Sequence, residues 1–269
     1  MMDREEQRSN FGCADCGYKE PKKQKIPVLT VIKKLDECFS KNDLSAAQRL
    51  LSYWENEAKS QEDLSGELSV VNEQLGLYRR LQNEEKAMYS VKRSGELLAR
   101  LELEDSISGA TIILNAATTL KAFNKSEEAL KLYEKVYEVY SKQLSENDGR
   151  FAGYYNNAAL CYQDVGDYQA AEKYFISAIA IMQKIKDGFL DEAVSYINLA
   201  HLYEQWLGAD SEKIECVLEK AQSLLENDAS DKSYQAFVLS KCAPSFEHFG
   251  YFWFAKKISE ISRRYYEGT

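Results

Sequence analysis

The chain has 269 residues, of which 45% are hydrophobic and 29% charged, and this composition excludes both a disordered chain and a membrane-embedded one. Its 34 basic and 43 acidic side chains leave a formal charge of −9, which disfavours binding to the phosphate backbone of nucleic acids. Because no apolar run approaches the roughly 20 residues that cross a bilayer and the polar start lacks a secretion signal, we expect no membrane contact, a cytoplasmic location and reduced cysteines.

The first 26 residues are polar and are predicted to form a tail in front of a folded domain at residues 27–269. Within the tail, Cys13 and Cys16 form a Cys-x-x-Cys pair, a spacing at which two thiolates can share one zinc ion. A closed structural zinc site needs four ligands, and the sequence has no second pair of this kind. We therefore expect no cofactor and keep Cys13 and Cys16 only as candidate zinc ligands.

From residue 27 onwards the sequence predicts helices in repeated pairs. Leu, Ala, Glu and Lys are frequent, and Pro244 is the one proline after residue 27, so long helices are uninterrupted. Asp191 and Asp231 are predicted to cap the helices that they precede, and Pro244 to kink its helix or begin a capping arrangement. Six repeats are predicted, at residues 27–60, 64–103, 106–145, 149–186, 190–227 and 231–267.

The clearest repeat contains the run Gly166-Asp-Tyr-x-x-Ala171-x-x-x-Phe175-x-x-Ala178. Glycine at position 166 suits the end of a first helix, and the three later residues share one face of a second helix. Small residues such as Ala159 and Ala171 allow the two helices to approach closely. Equivalent small residues recur in the same frame at Ala47, Ala87, Ala129 and Ala255.

This run resembles the tetratricopeptide repeat (TPR) signature, and its period of 41–43 residues is similar to that of kinesin light chains and bacterial peptide-pheromone receptors. The segment from Lys241 to Phe252 also resembles the close of a group of bacterial repeat proteins. Ile214, in place of a small residue, and Pro244 depart from the pattern. The resemblance implies an all-α fold, a right-handed α-solenoid of about six helix pairs, which receives a protein or peptide segment on its concave face.

Asparagines recur on the predicted first helices and suggest a ligand-binding ladder. Asn115, Asn157 and Asn198 share one repeat position, and Asn72 and Asn156 lie one residue earlier in their frames. Asparagine both donates and accepts, so such a ladder suits the backbone of an extended peptide, as first-helix asparagines do in the resembling families. The alternative is that these side chains bond to neighbouring helices within the scaffold.

Two further residues complete the candidate peptide-binding set, namely Lys121, which is predicted to face the inner surface, and His201. The chain has only two histidines, His201 and His248, and both are more simply read as groove or packing residues than as catalytic ones. Nucleotide-binding glycine loops and the Gly-x-Ser-x-Gly elbow are missing from the sequence, so we predict that the protein is not an enzyme.

Three functions stay open at this stage. The first is a non-enzymatic scaffold or adaptor that binds a protein or peptide segment on the concave face. The second is a peptide-responsive regulatory receptor, and the third is a zinc-binding or enzymatic module that uses Cys13 and Cys16. The sequence leaves the oligomeric state open.

Overall fold

The computed structural model describes residues 24–41 and 43–267, and the regular structure of this part of the chain is entirely α-helical. Cys13 and Cys16 lie outside the described residues. The helices, in chain order, are α1 (Val28–Ser40), α2 (Leu44–Ser60), α3 (Leu64–Arg80), α4 (Glu84–Arg100), α5 (Ile107–Ala122), α6 (Ser126–Gln143), α7 (Arg150–Asp164), α8 (Tyr168–Met182), α9 (Phe189–Leu207), α10 (Glu212–Leu225), α11 (Lys232–His248) and α12 (Phe252–Glu267).

These helices form six consecutive pairs within the described residues, as the sequence predicts, and the pairs stack into an α-solenoid. From α1 to α10 each helix packs against the next one along the chain, and α11 packs against α12. The odd-numbered helices also pack against one another in succession, from α1 to α11. We call these odd-numbered helices the inner helices, because the elements on the inside of a curved stack approach one another most closely.

Small side chains lie where α7 packs against α8, as the repeat pattern predicts. Ala159, Ala171 and the neighbouring Phe175 are all fully buried. Ile214, which replaces the small residue in the fifth pair, is buried as well, so the core of that pair accommodates a larger side chain. The same position is buried in the other pairs, at Ala47, Ala87, Ala129 and Ala255.

A left-handed backbone conformation recurs just beyond five of the inner helices, at intervals of 42 residues. Gln82, Asn124, Gly166, Gly208 and Gly250 have φ angles of 51°, 60°, 82°, 93° and 84°. Glycine adopts this conformation without the steric cost that a Cβ atom brings. The turn between the two helices of a pair is therefore a repeated feature, even where the residue there is not glycine.

The helix starts are capped by side chains in most pairs. Asp231 accepts a hydrogen bond from the backbone N–H of Tyr234 at 3.0 Å, which confirms that it caps α11. The prediction that Asp191 caps a helix is wrong, because α9 begins at Phe189 and places Asp191 inside its first turn. Helix α11 continues through Pro244 to His248, so Pro244 does not begin a new capping arrangement. Similar caps are made by Asp43, Asp63, Asn83, Ser106 and Asp167.

A polar network joins the second helix of the first pair to the second pair. The Glu55 carboxylate accepts hydrogen bonds from Gln74 at 2.7 Å and Tyr89 at 2.8 Å, and also from Lys59. Burial alone would raise the pKa of Glu55, but these hydrogen bonds lower it below its ordinary value of 4.5. The network therefore favours the ionised carboxylate at the junction of α2, α3 and α4.

Candidate functional site on the concave face

The inner helices enclose a large cavity that is bordered by both ends of the stack. Its volume is about 1280 Å³, and it is lined by residues of α1, α3, α5 and α11, together with Leu44 of α2 and Tyr266 of α12. Small-molecule pockets usually measure roughly 300–1,000 Å³, so this space is more suited to a segment of polypeptide. The curvature of the stack brings the first and last pairs to opposite sides of the same cavity.

Four cationic side chains line the cavity, whereas Glu73 is the one acidic residue among those that line it in the described chain. The cations are Lys41, Arg79, Arg80 and Lys241, which come from three separate regions of the sequence. Among the described residues, all four lack a carboxylate within salt-bridge distance. The cavity is thus locally positive in a protein whose formal charge is −9.

Arg79 is the most enclosed of these cations. Its side chain is half-buried, and its buried Nε has no hydrogen-bond partner in the described structure. Burial lowers the pKa of Arg79, and the neighbouring Arg80 lowers it further, but arginine remains charged at neutral pH. An anion in the cavity would compensate the charge of this guanidinium.

Aromatic rings accompany the cations on both sides of the cavity. The Arg80 guanidinium lies 4.3 Å from the centre of the Phe39 ring, and the Lys241 ammonium lies 5.7 Å from the centre of the Phe237 ring. The Phe237 side chain is 40% exposed, so it offers apolar contact area to a ligand. Cation–π contacts of this kind hold the cations in place without neutralising them.

Glu73 is the one carboxylate that lines the cavity in the described part of the chain. Burial raises its pKa, and the neighbouring Asp36 raises it further, while a hydrogen bond from Asn72 acts in the opposite direction. One carboxylate stands against four cations in the lining of the cavity, so the lining keeps a net positive charge.

The asparagines predicted to form a ligand-binding ladder make hydrogen bonds between adjacent inner helices. Asn115 Nδ2 donates to Asn72 Oδ1 at 2.8 Å, and Asn198 Nδ2 donates to Asn156 Oδ1 at 3.0 Å. Asn157 Nδ2 contacts Thr118 Oγ1 at 3.4 Å. Asn72 and Asn115 line the cavity, whereas the other three asparagines belong to the later inner helices α7 and α9.

The remaining two predicted site residues have partners of their own outside the cavity. Lys121 on α5 forms an ion pair with Asp164 on α7, with an Nζ–Oδ2 distance of 3.7 Å. His201 on α9 lies 2.9 Å from Ser245 Oγ on α11 through its Nε2. Both residues bridge adjacent inner helices.

The cationic residues of the cavity are not among the site residues predicted from the sequence, although the sequence contains a signal for them. Arg79 lies 42 residues before Lys121 and so takes the same repeat position, and Lys241 takes the position of Asn198 43 residues later. The repeat frame therefore placed both on the inner helices. Only the curvature of the stack shows that they face one cavity.

A second, smaller cleft is formed by tyrosines of α6, α7 and α8. Tyr133 and Tyr140 are almost completely buried, while Tyr137 is 45% exposed. The cleft has a volume of about 270 Å³ and carries Glu134 and Glu138 on its rim. Its size and acidic rim distinguish it from the cationic cavity.

Helices long and apolar enough to cross a bilayer were not found in residues 24–41 and 43–267.

Comparison with protein-family models matches residues 150–227 to a tetratricopeptide repeat model. Comparison with curated proteins finds no significant match. Among solved structures, the apo form of RapI is similar, with a TM-score of 0.61 at 15% identity, covering 91% of this chain and 100% of that one. A putative kinesin light chain from Podosopora anserina with TPR-like repeats gives a TM-score of 0.52 at 18% identity, covering 73% of this chain and 93% of that one. The chain therefore has the TPR-type α-solenoid fold that the repeat pattern predicts.

Proposed function

We propose that this tetratricopeptide array is a non-enzymatic cytoplasmic scaffold that binds an acidic, extended segment of a partner protein in its concave cavity. Tetratricopeptide repeats form a scaffold that is typical of protein–protein interaction. The observation that carries the more specific proposal is the half-buried Arg79, which faces the cavity without a carboxylate partner. Neither a catalytic group nor a cofactor is needed for this role.

Charge complementarity favours an acidic ligand over a neutral or basic one. At physiological ionic strength the Debye length is about 8 Å, so the four lining cations act on a ligand in the cavity more strongly than the distant acidic surface does. Arginine also binds carboxylates through two parallel hydrogen bonds, which fixes the orientation of the ligand.

The amide and aromatic groups of the cavity suit the rest of a peptide. Asn115 uses its Nδ2 on Asn72, so its side-chain carbonyl is available to accept a backbone N–H of the ligand. Phe237 and Tyr266 are 40% and 55% exposed and provide apolar surface for one side chain of the ligand. The asparagine pair can thus brace the scaffold and contact a peptide at the same time.

Fluorescence anisotropy with a labelled peptide rich in Asp and Glu tests the proposal, with the corresponding Asn and Gln peptide as its neutral counterpart. We expect the acidic peptide to bind more tightly and Arg79→Glu to weaken its binding at least tenfold, which corresponds to about 1.4 kcal/mol. Lys173→Glu is the matched control, because it makes the same change of net charge at an exposed position of α8. Equal affinity for the two peptides, or equal effects of the two variants, would refute the proposal.

A second candidate function, that of a peptide-responsive regulatory receptor, is favoured by the position of the cavity between the two ends of the stack. Residues of α1 and α11 line the same space, so a ligand that contacts both would fix the curvature of the solenoid. Small-angle X-ray scattering with and without the acidic peptide separates the two functions. A receptor is expected to change its radius of gyration on binding, whereas a passive scaffold keeps it.

A further inference from the structure

The two histidines of the protein lie next to each other, although 47 residues separate them in the sequence. His201 belongs to α9 and His248 is the last residue of α11, and their ring centres are 5.5 Å apart. Glu204, one helical turn after His201, lies between them. In the part of the chain that the structure describes, these three residues form a group whose potential metal-binding atoms all lie within 4.8 Å of one another.

The donor atoms of the three side chains converge. His248 Nε2 lies 2.9 Å from both carboxylate oxygens of Glu204, and His201 Nδ1 lies 3.8 Å from Glu204 Oε2. In a tetrahedral zinc site with bonds of about 2.0–2.1 Å, neighbouring ligand atoms are roughly 3.3–3.5 Å apart. The two distances bracket this value, so small side-chain rotations are sufficient to place all three atoms around one ion.

Ser245 on α11 holds His201 in the orientation that such a site needs. Its Oγ lies 2.9 Å from His201 Nε2, on the side of the ring away from Glu204. A metal-binding histidine usually donates its other N–H to a nearby oxygen, which fixes the tautomer and directs the remaining lone pair at the metal. Ser245 offers that oxygen and leaves Nδ1 to the metal.

The site is open to metal from solution. The side chains of His201, Glu204 and His248 are 34%, 32% and 51% exposed. Two imidazoles and one carboxylate suit a divalent transition metal such as Zn²⁺, whereas Mg²⁺ and Ca²⁺ prefer oxygen ligands alone.

We propose that His201 Nδ1, Glu204 and His248 Nε2 bind one Zn²⁺ ion between the fifth and sixth helix pairs. Three protein ligands leave one tetrahedral position for water or for a side chain of a partner. The ion fastens α11 to α9, and thereby the last pair, which forms one wall of the concave cavity, to the rest of the stack.

The test is a zinc titration of the full chain by calorimetry, carried out with Cys13→Ser/Cys16→Ser as the background so that the tail thiols do not contribute. We expect about one zinc ion per chain, no competition from Mg²⁺, and a higher melting temperature with zinc. Titration with Co²⁺ identifies the ligands independently, because nitrogen and oxygen ligands give no intense thiolate-to-cobalt charge-transfer absorption.

Single substitutions locate the ion. Ser245→Ala is expected to weaken zinc binding by roughly 10–100-fold, and His201→Ala or His248→Ala to weaken it further. Glu204→Gln is expected to lower the affinity, whereas Glu247→Gln, at an exposed neighbouring position, is not. Circular dichroism establishes that each variant is folded. Loss of all zinc binding in the cysteine background, or unchanged binding in folded His248→Ala, would overturn the proposal.

Discussion

Two regions of the inner helices use equivalent repeat positions in different ways. In the middle of the stack, Lys121 on α5 is neutralised by Asp164 on α7 at 3.7 Å. One repeat earlier, Arg79 on α3 lines the cavity without a carboxylate, because the residue that corresponds to Asp164 is Ala122. A repeat position therefore does not determine a role by itself. A cation braces the scaffold where the next repeat supplies its counter-ion and is available to a ligand where it does not.

Reversing the charge of the cavity has the largest expected effect on peptide binding. Arg79→Glu/Lys241→Glu replaces cations on two walls and is expected to weaken acidic-peptide binding by roughly 100-fold, or about 2.8 kcal/mol. Fluorescence anisotropy measures the change at physiological salt. A double charge reversal at Lys131 on α6 and Lys173 on α8 controls for net charge, because both side chains are exposed on even-numbered helices, which we call the outer helices. A similar loss in that control would show that only the overall charge matters.

A carboxylate introduced next to Arg79 tests whether this arginine is available to a ligand because it lacks a counter-ion. Ala122 is exposed at the end of α5, and Ala122→Asp places a carboxylate where the next repeat has Asp164. We expect the variant to lose roughly tenfold in affinity for the acidic peptide, about 1.4 kcal/mol, because Arg79 gains an internal partner. Asp164→Ala, which frees Lys121 outside the cavity, is the matched control and should leave peptide affinity unchanged. Full affinity in folded Ala122→Asp would contradict the role given to Arg79.

Substitution of the paired asparagines has a smaller expected effect, and it separates a contribution to stability from a contribution to ligand binding. Asn198→Ala removes the hydrogen bond to Asn156 and is expected to reduce the free energy of unfolding by about 1 kcal/mol without affecting peptide binding. Asn115→Ala removes the bond to Asn72 inside the cavity and should reduce both stability and affinity. Chemical denaturation and anisotropy on the same samples measure the two quantities. Identical results for the two variants would remove the distinction between the two regions.

The turns between paired helices provide a test of similar size for the repeat itself. Gly166 has a φ of 82° and open space around its Cβ position, so Gly166→Ala is expected to lower stability by about 1 kcal/mol through backbone strain alone. Gly153→Ala, in the exposed interior of α7 with equally open surroundings, should instead raise stability by roughly 0.5–1 kcal/mol. Thermal unfolding of both variants decides the sign. Stabilisation by Gly166→Ala would contradict the left-handed turn.

The smallest expected effect is the dependence of stability on pH through Glu55. Hydrogen bonds lower its pKa in the folded state below 4.5, so its contribution is present above this value and is lost as the pH falls through the folded pKa. Glu55→Gln should therefore reduce the loss of stability on acidification below pH 4.5. Urea denaturation at several acidic pH values compares the two proteins. An unchanged pH profile would mean that the network around Glu55 does not favour the ionised carboxylate.

Local sequence signals predicted most of the fold. Capping residues such as Asp167 and left-handed turns such as Gly166 define helix ends within each repeat, and the periodic alanines define the packed faces. Asp191 was misjudged because α9 starts at Phe189, after a glycine that offers no capping side chain. Helix ends that lack such a side chain are therefore the least predictable parts of this chain.

The candidate site was predicted only in part, because it depends on how the repeats curve. The sequence placed Asn72 and Asn115 on the inner helices, but their mutual hydrogen bond depends on the spacing of those helices. Lys41 and Lys241 face one cavity although 200 residues separate them, a result of curvature that accumulates over the whole stack. His201 and His248 belong to successive inner helices, so only the packing of those helices shows that the two rings are neighbours.

The position of a bound acidic peptide is the most direct test of the account. A peptide rich in Asp and Glu that carries one photoreactive side chain can be cross-linked to the protein and the attachment sites identified by mass spectrometry. We expect cross-links on α3 and on α11, the two walls that supply Arg79 and Lys241. Cross-links confined to the outer helices or to the tyrosine cleft of α6, α7 and α8 would contradict binding in the concave cavity.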